Sequence, residues 1–349
     1  MIDCGSQITI CDMPVHFDNY IGCSHMCEYC FVKRFKDIKD IKDIKDIKPI
    51  RNSYNSLKGF IEGKRQSDTK WCDWNIPVHW GGMSDPFQPI EKQNKENKDS
   101  TYNILKLLAE TKYPVVISTK GKLCIDKEYL ELLKQCNVVM QISCVSKYYD
   151  SIEKGATTYK ERLHMIKVLS SSVQRVIVRC QPYLTQIKHD VLKHSLKDFA
   201  QAGAYGIIFE GMKYNKKPVN CGYDLIRIGG DLCYDKQLLR EHFELFKTKA
   251  HKLGMKFFVG ENRLRQMGDS LCCCGCADLF EVNTFNCNHL LNGDKTEPTK
   301  AMKQIGTGSI FHALDQSRGT YERQKNSTME ELMYEECTLK RTQRALGKI

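Results

Sequence analysis

The sequence lacks the features that would direct a chain into or across a membrane. It contains no run of about 18 apolar residues, which is roughly the length that a membrane-spanning helix needs. Its first residues, Met1-Ile2-Asp3-Cys4, offer neither the basic segment nor the apolar segment of a secretion signal. These absences predict no membrane span and no export, and therefore a cytoplasmic protein.

Cysteine, by contrast, is abundant, with 18 among the 349 residues. Secreted scaffolds held by disulfides are usually short and follow a signal peptide, and neither condition is met here. In the cytosol the thiols would stay reduced and available to metal ions. The net charge of +11 also favours a polyanionic partner such as a nucleic acid.

Three of the cysteines, Cys23, Cys27 and Cys30, stand at a spacing of C-x3-C-x2-C. Iron–sulfur clusters are held by cysteine thiolates, normally four of them. A loop that offers three leaves one iron open to a substrate or cofactor. The alternatives are a zinc site or three unrelated thiols, but zinc ligands usually come as two C-x2-4-C pairs or with histidines. The spacing therefore favours a [4Fe–4S] cluster.

With Tyr29 before the third cysteine, this stretch resembles the C-x3-C-x-aromatic-C signature of the radical S-adenosylmethionine (SAM) superfamily. In that superfamily SAM chelates the open iron, and an electron from the cluster releases a 5'-deoxyadenosyl radical. The resemblance implies a [4Fe–4S] cluster and SAM as cofactors, with Phe31 as an aromatic position of the same loop. It also implies an electron donor, such as a reductase or a flavodoxin-type protein.

Downstream of the three cysteines, short apolar runs alternate with amphipathic runs, and hydrophobic residues make up 41% of the chain. Strands that alternate with helices in this way predict right-handed βαβ units and a parallel α/β sheet. Counted from Phe17–Gly22, six strands run to Glu210, and that number suits the partial (β/α)6 TIM-like barrel that the resemblance implies. The predicted strands are Ile8–Ile10, Phe17–Gly22, Ile76–Trp80, Val115–Thr119, Val138–Ser143, Val176–Cys180, Gly206–Glu210 and Lys256–Val259. The predicted helices are Thr101–Thr111, Lys127–Gln135, Tyr159–Leu169, Val191–Ala202 and Lys236–Leu253.

This pattern divides the chain into two parts. The predicted barrel spans residues 1–260 and is interrupted at 35–50 by a low-complexity Lys-Asp-Ile run, whose period of three fits neither a helix nor a strand. Residues 261–349 form a cysteine-rich and basic extension, and from Pro298 onward we expect a small helical appendage.

Polar residues at the predicted strand ends are the candidate cofactor-binding residues, because reactive groups in such barrels lie at the C-terminal ends of the strands. The stretch Gly81-Gly82-Met83-Ser84-Asp85-Pro86 resembles the spore photoproduct lyase-like branch of radical SAM enzymes, also described as DNA repair photolyase-like. That resemblance implies that the backbone of Gly81 and Gly82 and the side chain of Ser84 contact SAM. It also implies that Lys120 reaches the SAM carboxylate and that Ser143 lies near its ribose.

Three further strand-end residues, Arg179, Gln181 and Glu210, are weaker candidates. A cation at Arg179 could pair with the SAM carboxylate, and Glu210 could accept hydrogen bonds from a ribose or substrate. The alternative for every strand-end residue is a purely structural polar role. The predicted cofactor-binding set is therefore Tyr29, Phe31, Gly81, Gly82, Ser84, Lys120, Ser143, Arg179, Gln181 and Glu210.

The chain departs from the photoproduct lyase at one position. That enzyme has a cysteine that returns a hydrogen atom to the product radical, and this chain has Gly82 in its place. The departure puts repair of the thymine photoproduct in doubt.

A second group of cysteines, Cys272, Cys273, Cys274 and Cys276, lies in the extension and is followed by Cys287. Two or three of these thiols could hold an auxiliary iron–sulfur cluster or a zinc ion, or one could donate hydrogen to a radical. The alternative is a buried run of small apolar side chains. We expect this segment to fold over the C-terminal mouth of the barrel.

Three functions remain open from the sequence. The first is a radical SAM enzyme acting on a nucleic acid or nucleotide. The second is a radical SAM enzyme that modifies a peptide or protein with the help of an auxiliary cluster. The third is a non-enzymatic zinc-binding nucleic-acid module.

Overall fold

The computed structural model describes residues 2–4, 13–34, 46–64, 76–216, 218, 225–228 and 231–280. Cys287, the expected strand Ile8–Ile10 and most of the Lys-Asp-Ile run lie outside these residues. Within them, no helix has both the length and the apolar character that a membrane crossing requires.

A sheet of eight strands forms the centre of the fold. Seven of its strands run parallel, and the first strand pairs antiparallel with the second. In spatial order they are β1 (Ile2–Cys4), β2 (Val15–Phe17), β5 (Val78–Trp80), β6 (Val115–Thr119), β7 (Val138–Ser143), β8 (Arg175–Tyr183), β9 (Gly206–Gly211) and β13 (Lys256–Val259). The parallel strands follow one another in chain order, as consecutive right-handed βαβ units require. The expected α/β fold is confirmed, as a sheet whose two edge strands are not paired with each other within the described residues.

Helices connect the strands, and two smaller sheets flank the central one. The α-helices are Ser53–Ile61, Glu91–Asn94, Thr101–Thr111, Lys127–Leu133, Tyr159–Ser170, Lys188–Asp190, Leu196–Gln201 and Lys236–Lys252, with a π-helical turn at Val191–Ser195. The 3-10 helices are Phe31–Arg34, Lys122–Ile125, Lys147–Ser151, Thr185–Ile187 and Asn262–Met267. The smaller sheets pair β3 (Tyr20–Ile21) with β4 (Lys48–Pro49), and β12 (Asp231–Tyr234) with both β10 (Lys213–Tyr214) and β11 (Leu225–Ile228).

Some of the connecting helices begin at a residue whose side chain caps the helix. Ser100 accepts a hydrogen bond from the backbone N–H of Asn103, and Thr158 forms a capping box with Glu161. The helix Thr101–Thr111 buries Ile104, Leu105, Leu107 and Leu108 against the sheet. Burying an apolar side chain of this size contributes about 1.5–3 kcal/mol, so the apolar face holds the helix in place.

Two apolar layers lie on opposite faces of the central sheet. The larger packs the helices against the outer face and includes Trp80, Phe199 and Phe209. The smaller lies on the inner face, where inward side chains from the first half of several strands meet the extension. Its members are Met13, Val116, Val139, Ile177, Ile208, Phe258, Cys272, Cys274, Cys276 and Phe280.

Several element boundaries differ from those expected. The first parallel strand is Val15–Phe17, and the residues after it turn into the cysteine loop, because Asp18 and Asn19 are held by side-chain hydrogen bonds. The strand expected at Val176–Cys180 runs from Arg175 to Tyr183. The helix expected at Val191–Ala202 starts with a π-helical turn.

Candidate functional site

The loop that carries Cys23, Cys27 and Cys30 lies between β3 and the 3-10 helix Phe31–Arg34. All three cysteines are free thiols; Cys27 is buried, and the other two are partly exposed. The amide of Gln88 holds the start of the loop, since its Oε1 accepts from the N–H of Ser24 at 2.9 Å. The N–H of Cys30 donates to the carbonyl of Cys27 at 3.2 Å, which closes a turn between the last two cysteines. The three thiols are therefore presented by a loop with fixed hydrogen bonds at both ends.

A second segment packs directly beneath this loop. Gly155 donates its N–H to the carbonyl of His25 at 3.1 Å, and Glu28 donates to the carbonyl of Ile152 at 2.9 Å. A Cβ at Gly155 would lie only 2.2 Å from the carbonyl oxygen of Ser24. Glycine is therefore required for the two backbones to approach so closely.

Asp85 connects the cysteine loop to the ends of two strands. Its carboxylate accepts from His25 Nε2 at 2.8 Å, from Thr119 Oγ1 at 2.7 Å and from the backbone N–H groups of Phe87 and Lys120 at 2.9 and 2.6 Å. Burial alone would raise the pKa of Asp85, but His25 and these donors lower it to about 2. The buried group is therefore a carboxylate that fixes the loop to the sheet.

The turn after β5 is held in the same way by Asp18, which follows β2. The carboxylate of Asp18 accepts from the N–H groups of Met83 and Ser84 at 3.1 and 2.9 Å and from Ser84 Oγ at 3.0 Å. Gly81 has a φ of +92°, and a Cβ there would lie 2.4 Å from the carbonyl of Ser118, whereas a Cβ at Gly82 would meet its nearest atoms at 3.9 Å. Gly81 is thus needed by the turn, whereas a side chain at Gly82 would make only ordinary van der Waals contacts.

Lys120 lies beside the cysteine loop, together with a buried ion pair. Its Nζ is 3.9 Å from Glu153 Oε1 and 5.8 Å from the centre of the Tyr29 ring. Glu153 also accepts from Tyr29 Oη and pairs with Arg162. Burial lowers the pKa of Lys120, but Cys27 and Glu153 raise it by more, so the net shift is upward. The lysine therefore stays charged next to the cysteines.

The other expected residues divide into two groups. Ser143 ends β7 close to this ion pair, because its carbonyl accepts from Arg162 Nη1 at 2.8 Å. Phe31 follows the last cysteine and is half exposed, at 50%.

The second group lies on the inner face of the sheet and consists of Arg179, Gln181 and Glu210. Hydrogen bonds join them, from Arg179 Nε to Gln181 and from Gln181 to Glu210. Glu210 also pairs with Lys213.

The segment Cys272–Cys276 lies in a different place from the one expected. Asp269 accepts from the backbone N–H of Phe257 at 2.9 Å, which turns the chain back toward the start of β13. Arg175, the first residue of β8, donates to the carbonyl of Gly275 at 2.6 Å. The expectation that this segment folds over the C-terminal mouth is therefore wrong: it packs against the inner apolar layer, beside the first half of the strands.

Within this segment the thiols differ in their surroundings. Cys272, Cys274 and Cys276 are buried, and Cys276 lies 3.5 Å from the sulfur of Met13. Cys273 is partly exposed, and its pKa is lowered to about 6 by a hydrogen bond from Cys274 and, against burial, by Arg265 and Arg179. Three of the four cysteines thus serve as apolar packing, and one borders the polar inner face.

The surroundings of the cysteine loop indicate which metal group its three thiols can hold. Among the described residues, no three histidine, cysteine or carboxylate side chains converge on the position of a single metal ion. In a four-iron cluster each thiolate binds its own iron, so the three sulfurs of this loop need not converge on one position. Lys33 Nζ contacts the carbonyl of Cys27 at 2.8 Å, and the buried hydroxyl of Ser24 has no hydrogen-bond partner. Two lysines and an unmatched hydroxyl beside three free thiols fit an anionic iron–sulfur cluster.

Burial raises the pKa of the Cys23 and Cys27 thiols, and Asp85 raises that of Cys23 further. Lys120 acts in the opposite direction on both. Because only thiolates bind iron, loading of this loop must release protons.

Several residues of the site were missed in the sequence. Asp18, Gln88, Glu153 and Arg162 stand in no recognised pattern, although each positions a predicted residue through hydrogen bonds. His79, Ser118 and Gln141 alternate with apolar residues in buried strands, and that pattern is a usable signal for an inner polar face.

No family model and no curated protein matches the sequence. Solved structures that resemble the fold include a radical S-adenosylmethionine methyltransferase, TsrM, from Kitasatospora setae, with tryptophan substrate and the SAM analogue aza-SAM bound. The identity is 12%, the TM-score is 0.38, and the match covers 57% of this chain and 36% of that chain. A second TsrM structure, with cobalamin and a [4Fe–4S] cluster bound, matches at 11% identity and a TM-score of 0.37 over 56% of this chain and 36% of that chain. This chain thus matches about a third of the length of the methyltransferase, and a likeness this weak carries no inference about activity.

Proposed function

We propose that this chain is a radical SAM enzyme that binds a [4Fe–4S] cluster through Cys23, Cys27 and Cys30 and acts on a nucleic acid or nucleotide. The observation that carries the proposal is the loop itself. Three free thiols at the signature spacing are presented at the C-terminal edge of a parallel sheet, beside charged lysines and an unmatched hydroxyl. When bound, such a cluster supplies the electron that cleaves SAM to a 5'-deoxyadenosyl radical.

The residues around the loop then take defined roles. Asp85 and Gln88 hold the loop, through His25 and Ser24 respectively, so that the thiols keep their positions. Lys120 is the cation available to the SAM carboxylate, because its Nζ lies near the cysteine loop. Gly82 carries no side chain that would cover the backbone of the turn, so a ligand can approach it closely.

The other residues of the proposed cofactor site are assigned by their positions near Lys120 and Cys30. Ser84 and Ser143 lie at the ends of neighbouring elements on the same edge as Lys120, and Tyr29 and Phe31 flank Cys30. These residues, with Gly81 and Gly82, form the proposed SAM site. A reductase or flavodoxin-type protein would supply the electron.

The substrate class rests on the net charge of +11 and on the Gly-Gly-x-Ser-Asp-Pro turn. A basic protein binds polyanions more tightly at low salt, because binding releases counterions. A steep salt dependence of DNA or RNA binding supports this class, and its absence favours a peptide or protein substrate. Gly82, in place of a hydrogen-donating cysteine, speaks against repair of the thymine photoproduct.

The proposal is tested by anaerobic reconstitution with iron and sulfide, followed by SAM and dithionite. We expect absorbance near 400 nm and formation of 5'-deoxyadenosine, and both should be lost when Cys23, Cys27 and Cys30 are replaced by Ala. Cys136→Ala is a control, because Cys136 is also a free thiol and its Sγ donates hydrogen bonds to the backbone carbonyls of Leu105 and Leu132, away from the cysteine loop. Unchanged SAM cleavage in the triple variant would refute the proposal, and bound zinc without a chromophore would favour the zinc-binding module. Mass spectrometry of nucleic acid, nucleotide and peptide pools then identifies the substrate.

The role of Lys120 is tested separately by Lys120→Met. We expect SAM affinity to fall about tenfold, the usual value of one charge-assisted contact, with iron content unchanged. Lys122→Met is the control, because Lys122 is exposed and pairs only with Glu161 at the surface.

A further inference from the structure

Arg179 lies on the inner face of the sheet among partners that carry no charge. Its Nη1 faces Ser118 Oγ at 2.9 Å, Gln141 Oε1 at 3.2 Å and His79 Nε2 at 3.3 Å, and its Nε donates to Gln181. Its Nη2 makes no hydrogen bond, and no carboxylate of the described residues lies within ion-pair distance of the guanidinium. Arg179 is partly exposed, so its guanidinium is a cation that an anionic ligand can reach and that no carboxylate of the described residues already neutralises.

The neighbouring titratable groups do not supply the missing charge. Burial, with Arg179 adding to it, lowers the pKa of His16 to about 4 and that of His79 well below its ordinary value, so both rings are neutral near pH 7. Glu210 is already paired with Lys213. The thiol of Cys273, whose pKa is lowered to about 6, is an anion near pH 7, but its charge is balanced chiefly by Arg265, and Arg179 makes the smallest contribution to that shift.

Gln141 provides a second and independent observation. Its side chain is buried, at 1% exposed, and its Nε2 has no hydrogen-bond partner. The orientation of the amide is fixed by its neighbour, because Arg179 can only donate and so requires Oε1. Two amide N–H groups therefore remain unsatisfied beside an unpaired guanidinium, and such groups in a folded protein require an explanation.

We propose that Arg179 and Gln141 bind an oxyanionic group of the substrate, a phosphate ester or a carboxylate. The Nη2 of Arg179 and the Nε2 of Gln141 supply donors, and the planar guanidinium suits two oxygens of one such group. The identification of the ligand as the substrate rests on the function proposed above.

The two cations of the site are separate, which distinguishes this subsite from the cofactor site. Lys120 lies beside Tyr29 and Glu153, next to the cysteine loop. None of the hydrogen-bond partners of Arg179 belongs to that loop. Lys120 is therefore the cation for SAM, and Arg179, which the sequence assigned to the cofactor, is left for the substrate.

The test measures binding of inorganic phosphate, and separately of acetate, to the full chain without iron, by calorimetry at constant ionic strength. We expect saturable binding that weakens about tenfold to a hundredfold in Arg179→Gln, and less in Gln141→Leu, because a hydrogen bond to a charged group contributes more than one between neutral groups. Arg227→Gln is the control, since Arg227 is an exposed arginine whose loss removes the same charge. Tighter phosphate binding identifies a phosphate ester, and tighter acetate binding identifies a carboxylate.

Equal binding by wild type and Arg179→Gln, or an equal loss in Arg227→Gln, would overturn the subsite. If Arg179→Gln does not fold, Arg179→Lys replaces it. That variant keeps the positive charge but lacks the planar guanidinium that can donate to two oxygens of one group, so we expect it to bind the anion more weakly than wild type. Because the measurement needs no iron, its result is independent of SAM cleavage. Arg179-dependent binding without SAM cleavage would refute only the proposed function, and SAM cleavage without such binding would refute only the subsite.

Discussion

The chain has two dense groups of cysteines, and their surroundings differ. Around Cys23, Cys27 and Cys30 the contacts are polar: Asp85 and Gln88 hold the loop. Around the segment Cys272–Cys276 the contacts are mostly apolar side chains of the inner layer. Thiols in a polar loop beside lysines can exchange their protons for metal, whereas the buried thiols of Cys272, Cys274 and Cys276, which pack among valines and isoleucines, are inert. Density of cysteine alone does not indicate a metal site; the neighbouring side chains do.

The comparison is tested most strongly by removing thiols from each region. We expect iron uptake and SAM cleavage to be lost completely when Cys23, Cys27 and Cys30 are all replaced by Ala. The matched triple replacement of Cys272, Cys274 and Cys276 by Ala should keep both and lower only the melting temperature. Loss of iron in the second variant would show that the buried thiols bind metal and would remove the contrast.

The turn after β5, which carries Ser84 and Asp85 beside the cysteine loop, depends on the backbone of Gly81. We expect Gly81→Ala to cost about 2–4 kcal/mol in the free energy of unfolding, because it combines a left-handed φ with a close approach to the Ser118 carbonyl. Gly82→Ala should cost less than about 0.5 kcal/mol, since its Cβ would meet no atom closer than 3.9 Å. Urea unfolding measures both values, and equal costs would contradict the assigned turn.

The carboxylate of Asp85 makes the stability of the region around the cysteine loop depend on pH. Its folded-state pKa is lowered to about 2, so its contribution to stability is present near pH 7 and is lost as the pH falls from about 4 toward 2. We expect Asp85→Asn to cost about 2 kcal/mol at pH 7, and the difference from wild type to shrink over that range. A cost that does not change with pH would show that Asp85 does not act as a carboxylate.

Single Cys→Ser replacements test the difference in polarity between the two cysteine groups, with the smallest expected effects. Cys276 is completely buried in the apolar layer, so Cys276→Ser should cost about 1–2 kcal/mol through a poorly satisfied hydroxyl. Cys30 is partly exposed, and Cys30→Ser should change the stability of the iron-free chain by less than about 0.5 kcal/mol. Similar costs at the two positions would mean that the regions do not differ in polarity as described.

The parallel sheet was predictable because its strands are short apolar runs between amphipathic helices. Val115–Thr119 and Val138–Ser143 have the predicted bounds. The first strand was misplaced because Phe17–Gly22 leads directly into Cys23, as a strand that delivers the loop would. In the structure Asp18 and Asn19 instead turn the chain by binding the turn after β5 and the helix Thr101–Thr111. Contacts between residues 60 or more positions apart leave no local pattern.

The candidate site was predictable only in part, for the same reason. The cysteine spacing and the strand-end position of Lys120 are local signals. The position of Cys272–Cys276 was not predictable from a local signal. It depends on the hydrogen bonds between Asp269 and Phe257 and between Arg175 and Gly275, which form only in the folded state. The unpaired charge of Arg179 likewise emerges only when its neighbours are known.

The central claim is that Cys23, Cys27 and Cys30 leave one iron open to SAM. The most direct measurement is the electron paramagnetic resonance spectrum of the anaerobically reconstituted and reduced chain, recorded with and without SAM. The account predicts the signal of a reduced four-iron cluster whose g-values change when SAM is added, and no such signal in the triple alanine variant. A signal that SAM leaves unchanged, or one that persists in the triple variant, would contradict it.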